Sequence, residues 1–552
     1  MRLATKVFLT VGVLSGLAAS ACAEEAPPPV VAEIRAAASA PTTGPDGRPL
    51  PLAGHWNRGT RPEGFSPDYQ LELIRRGRHV LPWFEFPRPG APTDDAYFTR
   101  YEAAFRRVAA WKLPFTLVGT QWEIVLAKKS LFGRTFPFKD LPPERNALAL
   151  NEDGRPDPRL GISPFGAVEP WAEVGKLWVE SPMMRRLQEL YPDPPRVIFL
   201  SNNEAPKIRW AKNGGIERDK RFTDRYGFDC SDELKRCLVG NGWIVRYRAM
   251  FDAMRSHLDA PGWRDQVRFV GYGAFGPDHM GRWSGWPVYS LHCGNRFDWA
   301  PYAWDGASPS YYTHDWDAST DFTVHSPIVS FMNYVMAQRR VYADKPDFWF
   351  EFSVWDGSKT DAEGREIGKP ADYAEHGEPY SPARHASYVE FGMWLTRPRV
   401  VREFRGYLDT RERVGAYFEA IVAVVDRVYA DPVLREFWRF GELVPNRAHR
   451  HPFQVAIPEE FAAEDRWYML ETNLDPPRPW SLDTELPVQS LALVLNKPGN
   501  RRWLVYARSP LADRRDVTIQ IPEGPSITVD VPIAGAFYLV DQRSPTPQRV
   551  GR

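Results

Sequence analysis

From about residue 70 to 440 the chain alternates short apolar runs with amphipathic stretches. That rhythm is what most restricts its fold. Val80 to Phe86 reads as a first strand, and Phe115 to Gly119 as the second. Between them, Tyr97 to Lys112 carries Tyr101, Ala104, Phe105, Val108 and Ala109 at helical spacing. Met183 to Leu190 reads as a helix, closed by Pro192 just before a strand at Val197. Ile244 to Leu258 is a helix followed by a strand at Val267 to Tyr272. Ile328 to Val341 is a helix feeding a strand at Phe348, and Ala386 to Arg405 reads as one further helix. Strand–helix units repeated in this way predict a parallel sheet. Acidic and polar residues at several strand C-termini favour a (β/α)8 TIM barrel, with the insertions 123–175, 205–240 and 275–325 as loops over its mouth. The structural competitor is an open doubly wound sheet, but no Gly-rich phosphate loop supports it.

From about 465 the pattern changes to alternating strands: Trp467 to Leu470, Leu491 to Leu495, Trp503 to Tyr506, Val517 to Ile521 and Ile527 to Val531. Turn residues such as Pro498-Gly499-Asn500 separate them, which predicts an antiparallel β-sandwich packed on the barrel. The expected division is a signal peptide over 1–23, an Ala/Pro-rich linker over 24–55, the barrel over 56–460 and the sandwich over 461–545.

The first residues have the form of an export signal. Arg2 and Lys6 precede the apolar run Val7 to Ala19, and Ala21-Cys22-Ala23 fits a cleavage site before Glu24. Ala19-Ser20-Ala21-Cys22 also resembles a relaxed lipoprotein box, in which Cys22 is lipidated and tethers the protein to a membrane. No later segment reaches the roughly 18 apolar residues of a spanning helix. The expected location is periplasmic or secreted, or the outer membrane if the protein is a lipoprotein. In an oxidising compartment a local Cys230–Cys237 disulfide is expected, leaving Cys293 unpaired. No ligands sit at zinc spacing around that pair, and Asp315 and Asp317 lack the partners of a calcium loop. No metal or cofactor is expected. Lys+Arg and Asp+Glu both number 70, so the net charge argues against a nucleic-acid partner. Aromatics reach 13 %, with 21 Trp; indole faces can stack on sugar rings, although they also fill cores.

Two carboxylates point to a chemistry. Arg196 to Leu200 leads into Ser201-Asn202-Asn203-Glu204, and Phe348-Trp349-Phe350 leads into Glu351-Phe352-Ser353. A carboxylate at the end of a core strand is held rigidly and faces the space above the sheet. Two of them across one barrel mouth suit retaining glycoside hydrolysis, which needs one proton donor and one ionised nucleophile. The alternatives are a solvated loop carboxylate for Glu204 and a buried carboxylate paired with an Arg for Glu351.

Leu200-Ser201-Asn202-Asn203-Glu204-Ala205-Pro206 resembles the Asn-Glu motif after strand 4 of the clan A glycoside hydrolases. Phe350-Glu351-Phe352 resembles their strand 7 nucleophile position. The resemblance implies that Glu204 is the acid/base, Glu351 the nucleophile and Asn203 the contact to a sugar 2-hydroxyl. It also implies an aromatic or His at the end of strand 6, for which Ser310-Tyr311-Tyr312-Thr313-His314 offers Tyr311 or Tyr312. The strand 8 Trp common in the clan has no match, because Trp394 falls in a helical stretch.

His292 and His314 could touch substrate or simply pack. Trp83, Trp122 and Trp355 could be stacking platforms or core. Glu85 and Glu123 could bind sugar hydroxyls or pair with a barrel Arg, and the run Arg397 to Arg405 reads as a solvated helix face rather than an anion site. The expected activity is an exported retaining glycosidase acting on a poly- or oligosaccharide. The competitors are a catalytically inactive carbohydrate-binding or envelope protein on a barrel scaffold, and a polysaccharide lyase. Oligomeric state is left open.

Overall fold

The computed structural model describes residues 26–56, 64–87, 89, 96–131, 134–202, 215–271, 300–308, 310–312, 345–355, 358–360, 366–368, 381–404, 411–447, 465, 467–475, 488–497, 499–510 and 512–551. Eight strand positions run parallel around one barrel. They are β1 (Leu52–His55), β2 (Trp83–Glu85), β3 (Phe115–Thr120), β4 (Val197–Asn202) and β5 (Val267–Gly271). β6 is in two pieces, Gly306–Ala307 and Ser310–Tyr312, and β7 (Trp349–Trp355) and β8 (Val400–Glu403) complete the set. Each pairs with its neighbour in chain order, and β8 pairs with β1. The remaining seam closes through a parallel bridge between Ala53 and Val80, where Ala53 N donates to His79 O (2.8 Å) and Leu81 N to Ala53 O (2.9 Å). Closure leaves no free sheet edge.

The helical layer includes α1 (Val30–Ser39), α2 (Pro67–Arg75), α3 (Ala96–Ala110), α4 (Glu169–Val179), α5 (Pro182–Leu190), α6 (Lys220–Tyr226), α7 (Asp232–Ser256), α8 (Pro261–Gln266), α9 (Pro382–Thr396), α10 (Arg411–Ala430) and α11 (Pro432–Phe440). Several start alike. Ser66, Ser181 and Ser381 each accept the N–H three residues on and are followed by Pro, whose missing N–H is unneeded at a first helical position.

Three expectations change. The span 24–55 is no simple linker: it holds α1 and the first barrel strand, so the strands read as first and second are β2 and β3. Val30, Val31, Ile34, Ala37 and Ala38 are buried at helical spacing, a stripe masked by its high alanine content. β1 is four residues containing Ala and Gly, too short to register as a strand by composition. The helix read over Ala386 to Arg405 stops at Thr396. Arg397 takes a left-handed φ of 44°, Pro398 follows, and Val400–Glu403 is β8. The run Arg397 to Arg405 is therefore not a solvated helix face: Arg399 and Arg402 are buried.

The antiparallel domain begins earlier than expected. β9 (Glu442–Leu443) pairs with β11 (Gln489–Lys497), which continues through β12 (Asn500–Arg508) and β15 (Ala536–Asp541) to β16 (Ser544–Val550). A second sheet of β10 (Glu471–Thr472), β13 (Arg514–Gln520) and β14 (Ser526–Val531) faces it, and Trp503, Val505, Val517, Ile519, Ile527 and Val540 share a core between them. The sandwich is fixed to the barrel. Tyr506 Oη donates to Ser387 O (2.9 Å), Arg508 Nε to Ser387 Oγ (2.9 Å), and Trp394 meets Phe537 edge-on. Trp394 is thus buried in α9 and lines no barrel strand.

The local disulfide expected between Cys230 and Cys237 is not formed. Cys230 is a free thiol, while Cys237 is disulfide-bonded. Cys230 lies before the Ser231 cap of α7, and the first turns of that helix carry Cys237 away from it. The partner of Cys237 lies outside the described residues.

Candidate active site

In a β/α barrel the C-terminal strand ends and the loops after them form the mouth. Asn202 closes β4, and Thr120, its register partner, closes β3. Asn203 and Glu204, which follow Asn202, lie outside the described residues, as do His292 and His314. Tyr311 and Tyr312 lie on the second piece of β6, in register with Val354 and Trp355 at the end of β7. The side chains of these two tyrosines and of Trp355 are outside the described ones.

Glu351 sits differently from the strand-end position read in the sequence. β7 does not stop there but runs on to Trp355. Four residues of strand leave Glu351 roughly 13 Å short of the strand's end. Its side chain is fully buried. Arg402 of β8 grips the carboxylate with both ends of its fork, Nε to Oε2 at 2.6 Å and Nη2 to Oε1 at 2.5 Å. Trp349, two residues back on the same strand face, donates Nε1–H to Oε1 at 2.8 Å. Arg402 also donates to Thr116 Oγ1 of β3 (3.2 Å) and to His55 O of β1 (3.4 Å). A side chain on β8 meets one on β3 only through the barrel lumen, so the pair lies inside it. Gly54 of β1 makes room: a Cβ there would stand 3.1 Å from Val400 Cγ1 and 3.2 Å from Arg402 Nη1.

The two described tryptophans take the core alternative. Trp83 stacks on His55 and meets Phe418 edge-on, while Trp122 packs among Phe86, Phe199 and Phe251. Both are fully buried and present no open face for a sugar ring. Trp122 folds back over Gly119, where a Cβ would collide with its Nε1 at 2.2 Å.

Glu123 is the most perturbed carboxyl near the mouth. It sits in the one-turn helix Trp122–Leu126 just after β3, entered through Gln121 at a φ of 48°. It is fully buried, Oε1 accepts Tyr247 Oη at 3.1 Å, and Oε2 has no partner. Burial pushes its pKa up to about 7, against the pull of the Tyr247 hydrogen bond. Among the described residues no barrel Arg pairs with it, and Tyr247 belongs to α7. Among the described residues no group of three or more His, Cys, Asp or Glu is placed to hold a metal.

No family model and no curated protein matches the chain. Among solved structures it is similar to a Prevotella bryantii endo-beta-mannanase/endo-beta-glucanase, at 9 % identity and a TM-score of 0.33 over 68 % of this chain and 48 % of that one. It is also similar to an agarase, at 11 % identity and a TM-score of 0.32 over 70 % of this chain and 61 % of that one. The chain thus spans about half the length of the first and three fifths of the second. The barrel assignment rests on the closed parallel sheet itself.

Sequence reasoning missed Arg402 because it placed that residue on a helix. Pro398 and the β-branched pair Val400-Val401 were the available signals for a strand. It also passed over Asp356, the first carboxylate in the chain beyond the end of β7, which lies outside the described residues.

Proposed function

We propose that this chain is an exported retaining glycoside hydrolase acting on a poly- or oligosaccharide at the mouth of its barrel. Glu204 protonates the leaving oxygen while Glu351 attacks the anomeric carbon; Glu204 then deprotonates the water that releases the sugar. Asn203 holds the 2-hydroxyl, and Tyr311 or Tyr312 orients the nucleophile. The single observation that supports this reading most is the strand count. Asn202 ends the fourth strand of a closed parallel barrel and Glu351 lies on the seventh, the two positions from which such a pair of carboxylates can converge.

A second reading is favoured by the setting of Glu351. A carboxylate held by both ends of Arg402, well below the strand's end, is placed to brace the lumen rather than to meet a sugar. In that reading Glu351 is structural. The mouth then either binds carbohydrate without cleaving it or draws its second carboxylate from Asp356.

The test is a glycan panel with the purified protein, following the reducing-end anomer by NMR. Retention of configuration is expected, with Glu204→Gln lowering turnover by about 10²–10⁴-fold. Loss in a Glu351→Gln variant that melts like wild type supports the first reading, and loss in Asp356→Asn alone supports the second carboxylate there. Wild-type turnover in Glu204→Gln overturns both, and ultraviolet-absorbing products would mark a lyase.

A further inference from the structure

A cleft of about 600 Å³ opens between two loops on the mouth side of the barrel. One wall comes from the stretch 151–160 and the other from 217–228. The first wall belongs to the connection from β3 to α4, the second to the connection from β4 to α7. α4 and α7 carry the chain back from the mouth, and both walls precede that return. The second wall shares its connection with Asn203 and Glu204.

One buried carboxylate fastens the walls together. Asp219 accepts Leu150 N at 3.0 Å and Arg221 N at 3.1 Å, takes the Ser163 hydroxyl as well, and is fully buried. Lys220 N donates back to Leu150 O at 2.9 Å, and Arg221 Nε to Leu148 O at 3.2 Å. The tip of the first wall is a closed turn. Asn151 N donates to Arg155 O at 2.9 Å, Arg155 N donates to Asn151 Oδ1 at 3.0 Å, and Gly154 supplies a φ of 76°. A cleft whose walls are tied in this way is preformed, so a ligand orders little backbone on entering.

Most charged groups of the lining satisfy one another. Asp157 Oδ2 accepts Arg159 Nη2 at 2.7 Å, Lys220 Nζ donates to Asp224 Oδ1 at 2.7 Å, and Glu217 Oε1 accepts Lys235 Nζ at 2.6 Å. Glu152, Asp153 and Arg218 remain. All three are exposed lining residues, and their side chains make no hydrogen bond or ion pair among the described residues. Phe228 lines the cleft with them. It follows Gly227, whose φ of 70° ends α6, and at 70 % exposure it is the most exposed large apolar side chain among the described residues. An open aromatic face beside unengaged carboxylates and a guanidinium suits a sugar. Ring C–H groups meet the face, and hydroxyls, each both donor and acceptor, meet charges of either sign. Two unpaired carboxylates against one guanidinium leave an excess of negative charge, which acts against a uronate or a sulfated sugar.

We infer that the cleft between the Asn151 turn and α6 is an accessory subsite for a neutral glycan, with Phe228 stacked on a sugar ring and Glu152, Asp153 and Arg218 bonded to its hydroxyls. The inference rests on the proposed hydrolytic function and deepens it, by naming an uncharged poly- or oligosaccharide as the class of substrate.

The test is calorimetric titration of the full chain carrying Glu204→Gln, so that ligand is not consumed. The probes are neutral hexaoses of glucose, mannose, galactose and xylose, with hexagalacturonate as the anionic control. At least one neutral hexaose is expected to bind, about tenfold more weakly once Phe228→Ala is added and at the original strength with Phe228→Tyr. Phe228 is a surface side chain, so its alanine variant should melt like its parent. Glu152→Gln with Asp153→Asn is expected to weaken the neutral hexaose and to strengthen hexagalacturonate. Binding of no neutral hexaose, undiminished affinity in Phe228→Ala, or tighter binding of hexagalacturonate than of every neutral hexaose overturns the subsite. Turnover of the same hexaoses by the chain with Glu204 intact separates this outcome from the fate of the hydrolytic reading. Turnover with binding indifferent to Phe228 removes the subsite alone. Binding that depends on Phe228 without turnover removes the hydrolytic reading and leaves the cleft as a glycan site.

Discussion

The pair of Glu351 and Arg402 shows how one residue changes meaning with its surroundings. Both are fully sequestered, so each is tolerable only because of the other. Glu351→Ala strands a guanidinium in the lumen and is expected to cost about 3–5 kcal/mol in denaturant unfolding. Replacing both, as Glu351→Leu with Arg402→Met, is expected to recover most of the loss. If the single and double variants unfold alike, the pair is not what braces the barrel. Glu123 gives a prediction in pH. Its folded pKa of about 7 lies above the ordinary value of 4.5. The unfolded chain therefore releases this proton first as pH rises. The contribution to stability is complete below pH 4.5 and is lost as pH climbs toward 7. Glu123→Gln, neutral throughout, is expected to exceed wild type by up to about 3 kcal/mol at pH 8 and to show no advantage at pH 4. Parallel stability profiles for the two proteins would count against the assignment. An Arg partner for Glu351 was legible as an alternative, since an apolar strand gives a lone carboxylate no other company. Which Arg it is was not legible, because the pairing spans 51 residues of chain.

At the scale of elements, α1 was the least visible and is the most consequential. Ala37 and Ala38 are buried beside Val30, Val31 and Ile34, and Ala38 O accepts from both Arg196 Nε and Arg399 Nη1 at 3.4 Å. Basic groups at a helix C-terminus complement its partial negative charge. Burial, aided by repulsion from Arg196, pushes the pKa of Arg399 down to about 9, and burial, aided by repulsion from Arg268, pushes that of Arg196 down to about 10, a measure of how enclosed this end of the barrel is. Ile34→Ala removes a fully buried side chain and is expected to cost about 2–5 kcal/mol of global stability. A mere tether would be indifferent to the change. Strands such as β3 and β4 were legible because their runs are long and β-rich. β1 was not, because it is four residues that include Ala and Gly, with its pairing supplied by a neighbour far away in the chain; of β6, only the end at Ser310–Tyr312 was reached, through the family resemblance, and the Gly306–Ala307 piece was not.

Across the whole molecule, the strand–helix rhythm was enough to reach a parallel barrel, and the alternating patterns after residue 465 were enough to reach a sandwich. Local patterns could not say how tightly the two are joined. Gly441 packs on Leu493, Glu436 is bonded to both Lys497 (2.9 Å) and Arg502 (2.7 Å), and buried Tyr506 and Arg508 reach into α9. Calorimetry is therefore expected to show one unfolding transition, and a chain ending at Gly441 to lose the barrel as well as the sandwich. Two well-separated transitions would contradict this. The bond at Cys237 bears on how the protein can be produced. Cytosolic expression, where thioredoxin and glutathione keep thiols reduced, should yield a chain lacking that crosslink and prone to inclusion bodies. Secretion alongside an oxidoreductase should give material in which Cys230 is alkylated by iodoacetamide and Cys237 is not.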